Sequence, residues 1–260
     1  MGDCLSWKFL NASVLGTSHG KSGLPCQDEC ICDSIKDCLG NEVLIAVVSD
    51  GAGSAKYANQ ASETTCSVLF KVLEAAIISE KEVSSFSIED AVSWVQAVRL
   101  RLKELALAQE NSESLREFAC TVVAAMISEN GAVYFQVGDG AIVIGDGEVF
   151  SPVFWPENGE FPNETAFITE DEFAQHIQYL SAKDPPKEIA LFSDGLQRLA
   201  LKFADKTAHT PFFLPMFKRL RLEPSGISDM LNKNLVDFLN SANVNDRTDD
   251  DKSLVLASRI

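Results

Sequence analysis

Two apolar runs constrain this chain more than any other feature: VLIAVVSDG at 43–51 and IALFSDG at 189–195. Each is continuous rather than alternating, and each is short enough to be a strand buried on both faces. Each stops abruptly at Ser-Asp-Gly, so a carboxylate twice stands at the mouth of a buried strand.

The remaining pattern says how such strands are covered. Residues 6–14 alternate moderately and read as a first strand, followed by a loop, GTSHGKSGLPCQDE, rich in Gly, Ser and Pro. Small and apolar residues recur at helical spacing over 54–78, and a second helix is expected over 88–109, with Glu89 and Asp90 suiting its N-terminal dipole. The period then changes. ACTVVAAMIS, AVYFQVG and AIVIGDGEVF read as strands of a meander joined by short Gly or Asn turns. A short strand is expected at 165–169, helical stretches near 196–203, 212–222 and 227–239, and a last strand in DKSLVLAS. The meander argues against an alternating βαβ protein, and two antiparallel sheets with helices outside fit better, an α+β class. Neither a low-complexity linker nor a fixed-period repeat interrupts the sequence, so residues 1–260 read as one domain.

Charge and cysteine usage exclude several partners. The 260 residues carry a net charge of −16, which disfavours nucleic acid, because a phosphate backbone needs a basic surface. It does not favour a membrane surface, and no apolar run of about 18 residues offers a span. The seven cysteines lack the paired spacing of a zinc site and read as free thiols in a reducing cytoplasm.

Asp28, Asp50, Asp139, Asp194 and Asp250 share a context: each lies at the end of an expected strand or in the turn beside one. Strand ends on one sheet edge can converge from distant parts of a chain. Carboxylates meeting there repel unless a cation neutralises them, and hard oxygen ligands select Mg²⁺ or Mn²⁺. Each segment alone also has a plainer reading. Asp50 before GAGS can be a strand-to-helix turn with Ser54 as N-cap. Asp194-Gly195 can start a helix, VGDG can be only a turn, and the trio Asp249, Asp250, Asp251 can be a solvated loop. Asp146-Gly147 reads as a hairpin turn.

Taken in order, CQDE, SDGAGS, VGDG, LFSDGL and DDDKSLVL make the sequence resemble the metal-dependent type 2C protein serine/threonine phosphatases, over residues 16 to 257. The resemblance implies a four-layer α/β/β/α sandwich: two antiparallel sheets flanked by helix pairs, with a variable flap at about 151–186. It implies two Mg²⁺ or Mn²⁺ ions at one edge and phosphorylated proteins as substrates. Asp50 matches the aspartate that bridges the metals, and Gly51 the backbone carbonyl ligand. Asp194 and Asp250 match the carboxylates completing one metal's shell, and Asp28 the acid that holds the second metal's waters. Asp139 resembles the aspartate of a third, weaker site. Catalysis would run through a water that Asp50, Asp194 and Asp250 place between the ions.

Three positions depart from the family. The phosphate-gripping arginine of many members is absent, and GTSHGKSG offers His19 as the candidate phosphate contact instead. Ala52 stands where some members carry a histidine, so no general acid is assigned. Ser54 replaces a glycine. The departures keep two rivals open: a silent relative that binds phosphorylated partners, and a phosphohydrolase acting on a small molecule. The resemblance to bacterial stand-alone phosphatases also implies a cytoplasmic protein with a cognate kinase.

Overall fold

A computed structural model describes residues 6–79, 81–156 and 165–260. In chain order the strands are β1 Lys8–Val14, β2 Asp28–Lys36, β3 Glu42–Asp50, β4 Val122–Ile127, β5 Ala132–Val137, β6 Ala141–Gly145 and β7 Phe150–Pro152. They continue with β8 Gln178–Ala182, β9 Glu188–Phe192, β10 Leu201–Lys202, β11 Thr207–Ala208, β12 Gly226–Ile227 and β13 Lys252–Ser258. The helices are α1 Thr17–Ser22, α2 Ala58–Ile78, α3 Ile88–Glu110, α4 Gln197–Ala200, α5 Thr210–Leu220, α6 Asp229–Leu239 and α7 Ala242–Asn245. One sheet has the order β2-β3-β4-β5-β8 and the other β12-β1-β13-β9-β6-β7, while β10 and β11 pair only with each other. Apart from the parallel two-residue contact of β12 with β1, the pairings are antiparallel.

Side-chain alternation in the two opening runs explains why they carry no polar face. In β3, Val43, Ile45 and Val47 pack outward with Leu69 and Leu73 of α2 and Val95 and Val98 of α3. Leu44, Ala46 and Val48 point the other way, into a core shared with Leu191 and Val255 of the second sheet. In β9, Ile189 and Leu191 join that central core, whereas Ala190 and Phe192 pack outward with Phe213 and Phe217 of α5 and Leu231 and Leu235 of α6. Three apolar layers thus separate four layers of secondary structure, α/β/β/α, as expected. A buried aliphatic side chain contributes about 1.5–3 kcal/mol, so strands buried on both faces dominate the cohesion of the domain.

Local signals match several elements closely. Helix α3 begins at a capping box in which Ser87 and Asp90 satisfy each other's backbone N–H groups. The Asp146-Gly147 hairpin joins β6 to β7, with Gly147 at φ 118°. The six cysteines among the described residues are free, and Cys4 lies outside them.

Other expectations are corrected. The Gly/Ser-rich loop contains α1, tied to the end of the chain by the Ser18 N–H donating to the Asp249 carbonyl (2.9 Å) and closed by Gly23 at φ 70°. Helix α2 starts at Ala58 with Tyr57 as its N-cap, so Ser54 caps nothing; Ala52 and Ala55 form a tight turn before it (2.8 Å). The strands after residue 120 are not one meander. β5 belongs to one sheet and β6 to the other, and the chain crosses between them at Gly138 (φ 106°). No strand forms at 165–169, which is turn held by Ile168 N–H to the Cys120 carbonyl (3.0 Å). The edge strand of that sheet is β8, inside the expected flap. Residues 157–164 of that flap lie outside the described residues.

Candidate metal centre and active site

Antiparallel pairing decides where the acids meet. Asp50 ends β3 and Asp28 begins β2, and the two are register partners across the pair. In the other sheet β9 ends at Phe192, whose partners are Leu254 near the start of β13 and Ala141 at the start of β6. Asp194, Asp250 and Asp139 therefore stand just beyond three strand ends on the same rim. Val14, the last residue of β1, pairs with Lys252 and delivers α1 and His19 to that rim as well. A cavity of about 410 Å³ opens there, lined by Asp50, Gly51, Asp139, Asp194, Asp250 and His19. Asp28 lies behind it, 4% exposed. A larger groove of about 800 Å³ between α5 and α6 is mostly apolar and holds no carboxylate, so volume does not mark the chemistry.

Each acid is fixed by neighbours that its own motif does not reveal. Thr121 clamps Asp50 through its backbone: the Thr121 N–H donates to the Asp50 carbonyl (2.8 Å), and the Asp50 N–H donates to Thr121 Oγ1 (3.1 Å). Ser193 Oγ donates to Asp28 Oδ2 (2.5 Å) and accepts from the Ser253 N–H (3.0 Å), linking the two sheets beneath the site. Thr165 Oγ1 donates to Asp139 Oδ2 (2.9 Å), and Gln197 Nε2 donates to the Asp139 carbonyl. A Cβ at Gly51 would overlap the Ala58 carbonyl, and one at Gly195 the Asp251 carbonyl. These glycines let the backbone close up under the carboxylates.

The final trio of aspartates divides its work. Asp249 and Asp250 are exposed, whereas Asp251 is 2% exposed. Asp251 accepts hydrogen bonds from the N–H groups of Gly16 (2.5 Å) and Gln27 (2.6 Å), and its Oδ2 meets His19 Nδ1 at 2.8 Å. With Nδ1 engaged, Nε2 is the nitrogen left to the cleft. The sequence reading found His19 and Asp250 but missed Asp251, Ser193 and Thr121. Ser193 and Asp251 stand inside LFSDGL and DDDKSLVL, but those motifs do not reveal their roles and none marks Thr121, because the partners of all three come from distant segments.

Electrostatics show a cluster short of positive charge. Burial, supported by the charges of Asp194, Asp251 and Asp250 and opposed by the Ser193 hydrogen bond, pushes the Asp28 carboxyl up to about 8. Burial, then the charges of Asp28 and Asp194, raises Asp50 well above the usual carboxylate range. Burial, then Asp139 and Asp250, lifts Asp194 to about 6, and burial raises Asp139 against its Thr165 bond. Among the described residues none of Asp28, Asp50, Asp139, Asp194 and Asp250 is in an ion pair. Gln27 Oε1, beside them, is buried with no hydrogen-bond partner. Oxygen donors that ionise reluctantly, plus an orphaned buried acceptor, fit a hard cation with its waters. As the side chains stand, no three Asp, Glu, His or Cys groups among the described residues enclose one ion by themselves. A cation here would need waters to complete its shell, as Mg²⁺ commonly does.

Helix pairs around a two-sheet sandwich, with carboxylates gathered at one rim, define the class of phosphatase that the motifs resemble. A family model described as Protein phosphatase 2C matches residues 15–240. The chain is 34% identical over 255 residues to Serine/threonine-protein phosphatase 3 of Escherichia coli (strain K12), covering 97% of this chain and 98% of that protein. Among solved structures it resembles the S. agalactiae serine/threonine phosphatase (TM-score 0.61, 16% identity, 97% of this chain and 99% of that one). It also resembles RsbX in complex with magnesium (TM-score 0.55, 14% identity, 97% of this chain and 95% of that one).

The chain belongs to the protein phosphatase 2C family. It is a phosphoprotein phosphatase, a hydrolase of phosphoric monoesters, in a family that generally depends on Mg²⁺ or Mn²⁺. No helix among the described residues is long and apolar enough to cross a membrane.

Proposed function

We propose that this chain removes phosphate from phosphoserine and phosphothreonine in proteins, using two divalent cations at the acidic rim. The observation that carries the reading is the convergence of Asp28, Asp50, Asp139, Asp194 and Asp250 on one rim without ion-pair partners. The E. coli relative's name supports the substrate class, and the magnesium in RsbX supports the metal class. Asp50 and the Gly51 carbonyl would hold the pair of ions, Asp194 and Asp250 would complete the shell of one ion, and Asp28 would hold waters of the other. Asp139 and Asp194 would form a third, weaker site.

When bound, two such cations neutralise a phosphate dianion and acidify a water for in-line attack. The protein's own residues do the positioning. Asp251 fixes the His19 ring, so that Nε2 can meet a phosphate oxygen. Thr121 and Ser193 hold Asp50 and Asp28 at fixed height above the two sheets. Burial and mutual repulsion favour the protonated forms of Asp50 and Asp194, so a cation would have to compete with protons there and metal uptake should grow with pH. The kinase whose products this enzyme reverses is the natural partner, and residues 151–186 the region that shapes substrate access.

Turnover of p-nitrophenyl phosphate and of phosphoserine and phosphothreonine peptides, measured with and without Mn²⁺, tests the reading. Activity should require metal and vanish in Asp194→Ala. No turnover under any metal would make the chain a phosphoprotein-binding module. Strong preference for a phosphorylated metabolite over every phosphopeptide would also refute the proposal.

A further inference from the structure

The acid-lined cavity has a neighbour. A second cavity of about 540 Å³ shares Asp139, Asp194 and Asp250 with the first, and is otherwise lined by Gly195, Gln197, Arg198, Phe203, Arg247, Thr248 and Asp249. The three shared acids stand between the two chambers. Neither arginine lines the first chamber, where Asp50 and His19 lie.

Chain geometry fixes both arginines close to acids of the site. Arg198 follows Asp194 by four residues, one helical turn along the 3₁₀ and α4 segment. Arg247 closes the turn after α7, three residues before Asp250. Both are exposed, and among the described residues neither takes part in an ion pair. Two other arginines are occupied: Arg221 pairs with the buried Glu188 (2.8 Å), and Arg99 donates to the carbonyls of Ile168 and Glu170 (2.6 Å each). In a chain with 38 acidic residues against 22 basic ones, the two unpaired guanidiniums stand beside four aspartates in the lining of this chamber and are the groups there that can bind an anion. The planar fork of arginine matches carboxylate and phosphate oxygens. Phe203, 45% exposed and stacked edge-on against Trp155 (5.4 Å), supplies an apolar wall suited to a peptide backbone.

We propose that Arg198 and Arg247 form a subsite for a second oxyanion on the substrate, a carboxylate or a further phosphate near the phosphorylated residue under attack. The enzyme then prefers acidic or multiply phosphorylated segments. This inference rests on the phosphoprotein reading above.

Three phosphothreonine peptides test it, identical except that one position, two residues from the phosphothreonine, is Ala, Asp or phosphoserine. The wild-type protein should show kcat/KM with Mn²⁺ about tenfold higher for an anionic version than for Ala, the ratio that about 1.4 kcal/mol of recognition confers. Whether Asp, phosphoserine or both gain identifies the source of the oxyanion. Arg198→Gln/Arg247→Gln should lose the preference through KM, and Arg198→Lys/Arg247→Lys should recover part of it. Anisotropy of labelled peptides carrying a non-hydrolysable phosphonate in place of the phosphothreonine should report the same ratios as Kd. An active wild-type protein with no preference would overturn the inference, as would a preference that survives in the double Gln variant. Equal loss on the Ala peptide and on p-nitrophenyl phosphate would also overturn it, because the arginines would then grip the reacting phosphate itself. A wild-type protein inactive on every phosphopeptide would instead refute the phosphoprotein reading beneath it.

Discussion

Asp251→Ala should be among the most damaging single changes to this protein, although Asp251 lines neither chamber of the site. Its carboxylate is 2% exposed and accepts from two backbone N–H groups, at Gly16 and Gln27, that have no other acceptor among the described residues. Truncation orphans both donors in a region that water reaches poorly. At about 1–3 kcal/mol for each buried unsatisfied group, the loss is about 2–6 kcal/mol. With a urea m-value of about 3 kcal/mol/M for a domain of this size, the unfolding midpoint should fall by about 0.7–2 M. Asp251→Asn keeps one acceptor oxygen but turns an amide N–H₂ toward a donor, so it should recover only part of the loss. Because His19 Nδ1 loses its partner in Asp251→Ala, turnover should fall in that variant even where the fold persists. Equilibrium urea unfolding followed by tryptophan fluorescence, with kcat at saturating Mn²⁺, measures both effects. A midpoint within 0.2 M of wild type together with unchanged kcat would refute the assignment of Asp251 as the anchor of α1, His19 and the segment before β2.

Two further outcomes follow from the same site. The folded carboxyls of Asp28 (about 8), Asp194 (about 6) and Asp50 all lie above their unfolded values, so the folded protein holds protons that the unfolded chain has released. Their contribution is fully present below about pH 4 and is lost as pH rises through 6 to 8. In a chelator the melting temperature should therefore fall between pH 5 and 8, and Mn²⁺ should restore it; a flat profile in chelator would contradict the burial of the cluster. Gly51→Ala forces a Cβ into the Ala58 carbonyl, and overpacking of this kind costs about 1–3 kcal/mol. Calorimetry should show a lower melting temperature and kinetics a higher Mn²⁺ concentration for half-maximal activity, whereas an unchanged melting temperature would mean that the turn is looser than the structure shows.

The family-like spacing of five short motifs was enough to place Asp28, Asp50, Asp139, Asp194 and Asp250 in one constellation. The two uninterrupted apolar runs were enough to require cover on both sides of their strands. Both are local properties: a strand's burial is written in its own side chains, and a motif's chemistry in its own residue types. What surrounds the acids was not written there. Nothing near Gly138 says that the chain changes sheets between β5 and β6, because a turn that crosses a sandwich and one that closes a hairpin draw on the same residues. β8 carries no strong alternation and is a strand because β5 offers it an open edge.

The division of the last three aspartates shows the limit most plainly. Sequence fixes three adjacent carboxylates before a final strand, and nothing in their order says which is buried. The structure sends Asp250 to the cleft and Asp251 inward, because β13 enters the sheet at Lys252 and the backbone N–H groups of Gly16 and Gln27 await an acceptor there. Arg198 and Arg247 likewise become neighbours only when β9 and β13 pair. Residue identity determined which chemistry was available to this protein; long-range strand pairing, which brings distant segments within hydrogen-bonding distance, decided which groups could perform it together.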